Sequence, residues 1–175
     1  LTYSVVDRQN RIFVLRRPPL GHVLESAHDM GREHKIITAL AGSQVPVAST
    51  IGLCPDVTVN DAPFYVMDYV AGPVLHDAEV TAAIPADERS ALGDHVVDVL
   101  AALHRIDPDT VGLGDLGRKE AYLQRQLKRW SKQWEASETH NVPAMDESTR
   151  VLADRMPEQL GASIVQGDYR LGKIN

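Results

Sequence analysis

The apolar residues of this chain change their period once, near Gly72, and that change limits the fold more than any other feature. Before it, the runs 2–6, 11–16, 47–53 and 62–70 are short and rich in Val, Ile, Phe and Tyr. Such runs bounded by polar residues predict strands. Asp7, Arg8, Gln9 and Asn10 separate the first two as a polar turn, which predicts a hairpin, and Pro18 and Pro19 end the second strand. Residues 29–40 read as a helix with Gly42 placed to end it. The segment 55–61 reads as a loop. The order strand, strand, helix, strand, strand predicts a small antiparallel sheet with one helix against it.

After Gly72 the pattern is helical. Leu92, Val96, Val99 and Leu103 recur at spacings of four, three and four, one stripe of a helix over 86–105. A second long helix over 118–137 is striped by Leu123, Leu127, Trp130 and Trp134, both Trp read as core. A third, over 145–160, is interrupted by Pro157. The expected class is therefore α+β, with a sheet-bearing lobe over 1–71 and a mostly helical, partial lobe over 72–175.

Bulk properties exclude several functions. The 18 Lys+Arg against 24 Asp+Glu leave a net charge of −6, unlike a general nucleic-acid binder. No run approaches the ~20 apolar residues of a membrane span, and no signal peptide is evident. Cys54 is the only cysteine, so no internal disulfide forms and a reducing, cytoplasmic setting is expected. Its apolar neighbours mark it as a near-core residue rather than a nucleophile. The chain opens at Leu1 without Met and ends inside a motif, so it reads as a fragment of a longer protein. Nothing in it indicates an oligomeric state.

Four places could carry chemistry. The β-branched Ile164 and Val165 run through Gln166 into Gly167-Asp168-Tyr169, the way a carboxylate is presented at a strand end. Phosphoryl-transfer sites keep their base in such a place; taken alone, the tripeptide is a plain turn. Val14-Leu15-Arg16 closes the second strand with a cation, which the α- and β-phosphates of a nucleotide require, and alternation sends Arg17 to the other face. Taken alone, Arg16 is a strand-end residue reaching to solvent. Glu33 shares a helix face with Ile37 and Leu40, and a carboxylate there either pairs with the strand Arg or sits solvated at the stripe's edge. The run from Phe64 through Tyr65, Val66, Met67, Asp68, Tyr69 and Val70 loses its regularity at Gly72, as a hinge between lobes would, or as any core strand with an exit turn.

Together these pieces resemble the aminoglycoside phosphotransferase, or phosphotransferase enzyme, family, which has a protein-kinase-like fold. The C-terminal loop is similar to the family's H-G-D-x-x-x-x-N pattern, with Gln166 at the His position and Lys173 at the Asn position. The segment from Arg16 and Arg17 through Pro18, Pro19, Leu20, Gly21, His22 and Val23 to Leu24 resembles the R-R-P-P-x-G segment of the branch also found fused to acyl-CoA dehydrogenases. His28 to Glu33, Ala62 to Met67 and the segment beginning Glu120-Ala121-Tyr122 resemble its next blocks.

The resemblance implies ATP and Mg²⁺ as cofactors, Asp168 as catalytic base, and Arg16 on ATP phosphates with Glu33 as its partner. It implies Asp68 and Val70 at the adenine through their backbone, with Met67 behind them. The partner implied is a small-molecule hydroxyl acceptor, hydroxyacyl-CoA, aminoglycoside, choline or homoserine among the relatives. It also places the family's later metal-binding Asp beyond Asn175. Lys173, a cation where the Asn would ligate Mg²⁺, and Gln166 together leave a second reading open, a degenerate kinase that binds nucleotide without turnover.

The seven His are scattered without a metal-ligand spacing, so no zinc site is expected. Arg118, Lys119, Arg125, Lys128, Arg129 and Lys132 give the Trp-striped helix a basic side, read as a solvated face or, more sharply, as a dock for coenzyme A phosphates.

Overall fold

The computed structural model describes residues 1–19, 29–75 and 78–173. Leu20 to Leu24, His28 and His76 lie outside the described residues, as does the side chain of Lys173. The chain divides into two compact units, 1–114 with 163–175, and 115–162. The lobe boundary expected near Gly72 falls inside the first unit.

That unit opens with the hairpin β1 (Thr2–Val6) and β2 (Ile12–Arg16). Asp7 builds the turn: its Oδ1 accepts from the amides of Gln9 at 2.8 Å and Arg11 at 2.9 Å, and its Oδ2 accepts from Arg11 Nε at 2.7 Å. The Arg11 amide foremost holds the Asp7 carboxyl below its usual range. Asn10, at φ 61°, takes the left-handed position that Asn tolerates.

Helix α1 (Met30–Leu40) starts where Asp29 accepts from the Arg32 amide at 2.9 Å. It stops before Gly42, whose φ of 83° favours a residue without Cβ. Strands β3 (Thr50–Cys54) and β4 (Phe64–Asp68) complete an antiparallel sheet of order β1-β2-β4-β3. Both are shorter than their apolar runs, and β3 carries a bulge between Thr50 and Gly52. Helix α1 packs on β3 and β4. Leu40, Val45 and Leu103 form a buried core with Ile36, Val47, Val99 and Ile164 against it. The stripe of α4 (Ala86–Arg105) thus meets the end of α1, and the α+β order expected from the sequence is present.

Several expectations are corrected. The segment 55–61 holds a short helix α2 (Val57–Asn60), because the Asp56 carboxylate caps Thr58 through both its amide, at 2.9 Å, and its hydroxyl, at 2.7 Å. Another short helix, α3 (Ala78–Ala82), was not legible as a separate element. In the second unit, α5 (Tyr122–Ser137) begins later than 118, since Ala121 at φ 50° interrupts the helix. Helix α6 (Pro143–Asp154) starts on a proline and ends before Pro157, whose ring cannot continue it. Trp130 is exposed rather than core: α5 packs against α6, and neither helix contains a buried residue. Ile164 and Val165 are irregular rather than a strand, since no described strand runs beside them to complete a ladder. A 3₁₀ turn (Leu171–Lys173) follows. Among the described residues no helix is long and apolar enough to cross a membrane.

The backbone of Gly42 sets its own cost of substitution, because a Cβ there would meet nothing within 4 Å. Gly42→Ala is expected to lower stability by about 1 kcal/mol through the positive φ alone. A urea unfolding midpoint indistinguishable from wild type would contradict this.

Candidate functional site

The register of the central strands creates the site. Arg16 stands opposite Tyr65 between β2 and β4, Val14 opposite Met67, and Thr2 opposite Arg16 between β1 and β2. Residues directly opposed in an antiparallel pair share a face. Arg16, Thr2, Tyr65 and Met67 therefore lie on one side of the sheet, and Arg16 and Tyr65 both reach Glu33 on α1 there.

Arg16 Nη2 donates to Glu33 Oε2 at 2.8 Å, and Nη1 donates to Thr2 Oγ1 at 3.0 Å. The pairing that periodicity left open is thus formed. The two charged side chains are 34% and 30% exposed, sheltered without being sealed from water. Burial opposes the charge on Arg16, but the hydrogen bond and attraction of Glu33 outweigh it and raise the guanidinium pKa. Two of the five N–H donors of Arg16 serve these contacts, and its planar fork suits a second, anionic partner.

Tyr65 was not singled out from the sequence. Its hydroxyl donates to the same Glu33 Oε2 at 3.1 Å, and the residue is only 1% exposed. Burial first, then the Glu33 charge, push its pKa up to about 12, with Arg16 acting the other way. His34 meets the ring edge-on, centroids 5.9 Å apart. The available signal was its position two residues before Met67, which places both on one face of a strand. What the sequence lacked was the register that sets that face against Arg16.

Arg17 points away from this group, as alternation required: its Nη1 donates to Asn60 Oδ1 at 3.2 Å, tying β2 to α2. At the expected hinge, the Asp68 amide donates to the Ser49 carbonyl at 2.9 Å, which anchors the end of β4. Val70 follows in irregular, exposed backbone. Met67 is half-buried on β4.

Asp168 sits at a turn with Gly167, held from both sides. On one side Ile164 packs on the core; on the other the Tyr169 hydroxyl donates to the Val96 carbonyl of α4 at 2.7 Å. Between these anchors Gln166, Gly167 and Asp168 are exposed. Arg170 Nε lies 3.3 Å from Asp168 Oδ1, with both side chains more than half exposed, so the pair is weak. The loop therefore presents a carboxylate to solvent from a fixed backbone. Among the described residues no group of three or more His, Cys, Asp or Glu is placed to hold a metal ion.

The sequence profile of the Phosphotransferase enzyme family matches residues 1–174. The chain is similar to acyl-CoA dehydrogenase family member 10 of Mus musculus, 35% identical over 175 residues, covering 99% of this chain and 16% of that protein. It is also similar to acyl-CoA dehydrogenase family member 11 of Gallus gallus, 35% identical over 170 residues, covering 97% of this chain and 22% of that one. Among solved structures it is similar to a chain from Ralstonia eutropha assigned as an aminoglycoside phosphotransferase. The TM-score is 0.82 at 38% identity, covering 98% of this chain and 50% of that chain.

The Tyr65 hydroxyl makes stability depend on alkaline pH. Its folded pKa of about 12 lies above the ordinary 10.0, so the stabilisation is complete below pH 10 and is lost as pH rises toward 12. Tyr65→Phe is expected to cost about 1 kcal/mol at neutral pH and to flatten this alkaline fall. Unfolding midpoints measured at intervals across that window check it; equal slopes for wild type and variant would refute it.

Proposed function

From a chain that belongs to the Phosphotransferase enzyme family, with its kinase-like α+β fold, we infer an enzyme that transfers the γ-phosphoryl of ATP to the hydroxyl of a small molecule. The observation that carries this reading is Arg16 held at 2.8 Å by Glu33, a fixed cation on a strand paired with a helix carboxylate.

ATP, when bound, supplies the phosphoryl group. Arg16 takes the α- and β-phosphates on its planar fork. The carbonyl of Asp68 and the amide of Val70 line the adenine, with Met67 behind it. Asp168 orients the acceptor hydroxyl and accepts its proton as the oxygen bonds to the γ-phosphorus, while the bond from that phosphorus to the β,γ-bridging oxygen breaks and ADP leaves. Mg²⁺ comes with the family, but the described donors do not make up a ligand set for it, and no step here passes through it. The chain spans 16% and 22% of the length of the two acyl-CoA dehydrogenase family proteins. Their names mention acyl-CoA and the proposed transfer needs a hydroxyl, so a hydroxyacyl thioester of coenzyme A is the first acceptor to try. The setting proposed is cytoplasmic.

One observation favours a second reading, a nucleotide-binding module without turnover. Lys173 stands where the family's metal-ligating Asn stands, and a cation there repels Mg²⁺. ATP binding without transfer, converted to transfer by Gln166→His with Lys173→Asn, would establish it.

For the enzyme, Asp168→Asn is expected to lower phosphoryl transfer by about 10²- to 10⁴-fold with ATP binding retained. Arg16→Ala is expected to weaken ATP binding by roughly tenfold or more. Transfer of labelled phosphate and equilibrium titration with a fluorescent ATP analogue separate the two effects. Unchanged turnover in Asp168→Asn would remove that residue from the mechanism.

A further inference from the structure

We propose that Tyr65 is a positioning residue for nucleotide phosphates, its hydroxyl holding the Glu33 carboxylate in the orientation that aims Arg16. The inference rests on the phosphate-binding role proposed for Arg16 and adds a residue to it.

Three features of the geometry lead there. First, Tyr65 and Arg16 are ladder partners, so their side chains rise side by side from one face of the sheet. Second, both donate to one oxygen, Glu33 Oε2, at 3.1 and 2.8 Å. A carboxylate on a flexible side chain rotates about a single donor; two donors from adjacent strands stop that rotation. Third, Tyr65 is 1% exposed, and burying a phenol ring needs no hydroxyl. Phe would fill the same space without a polar group to satisfy, so the oxygen serves a contact rather than the packing.

Thr2 completes the arrangement at the other end of the guanidinium, through its 3.0 Å contact with Nη1. Contacts from β1, β4 and α1 thus fix the plane of one cation on β2. The phenol remains protonated, and therefore a donor, at any pH used for an assay, since burial and Glu33 both oppose its ionisation. Arg16 binds phosphate groups that are present before and during transfer, so aiming it acts on nucleotide affinity more than on the chemical step.

The test is a double-mutant cycle on the full chain, with a fluorescent ATP analogue as probe. Tyr65→Phe is expected to weaken binding roughly three- to tenfold and to raise KM for ATP while leaving kcat nearly unchanged. In a Glu33→Ala background the same change is expected to add almost nothing, because the acceptor it acts through is gone. A role in packing alone would lower the unfolding temperature and leave the affinity of the folded protein intact. Independent, multiplying effects of the two substitutions, or a Tyr65→Phe affinity equal to wild type, would overturn the inference and leave the phosphate role of Arg16 standing. Wild-type protein that binds no ATP would overturn both. A further measurement needs no Tyr65 variant: tyrosine ionisation followed by absorbance, where Glu33→Gln is expected to bring one of the 5 tyrosines down in pKa. An unchanged titration would also sink the proposal.

Discussion

The contact between Arg16 and Glu33 is the constraint on which the rest of the site depends. It joins the last residue of β2 to the first turn of α1 across 17 positions of sequence. Its value lies in orientation more than in stability. Both side chains keep about a third of their surface in water, so solvent screens the attraction and the net contribution is about 1 kcal/mol or less. The shelter is still enough that Glu33 raises the Arg16 pKa against the burial that opposes it. Removing either partner would leave the other half-buried beside a phenol placed to bind it.

The two halves of the candidate site are built on different physical plans. Around Arg16, three strands and a helix converge, and every polar atom named there has a partner within the sheet or on α1. Around Asp168, the backbone is anchored on each side by one contact, Ile164 in the core and Tyr169 on α4, while the carboxylate faces solvent. A group that takes a proton from a substrate must be reachable, and a group that aims at phosphate must be still. The proposed phosphoryl transfer would connect the halves in one reaction.

Local chemistry made part of this legible in the residues themselves. Asp7 and Asn10 wrote the hairpin turn, Asp29 and Gly42 the two ends of α1, and a four-three-four stripe wrote α4. The signals act over a few residues, so they survive without knowledge of what lies opposite. Legibility ended where a neighbour decides. Ile164 and Val165 have strand propensity but no strand alongside, and a ladder needs two sides. Trp130 has the spacing of a core residue, yet its unit contains no buried position on either helix to receive it. Helix α2 escaped notice because it is four residues long and depends on a single capping carboxylate.

Sequence by itself determined which residue types stand where: a cation closing β2, an acid on the apolar face of α1, a Gly-Asp turn near the C-terminus, and an α+β order. Those follow from propensity, capping and periodicity, all of which are local. Tertiary structure alone decided that Glu33 meets Arg16 instead of water, and that Tyr65 joins them. That choice rests on the register of β2 against β4, where a slip of one residue would send Tyr65 to the opposite face of the sheet.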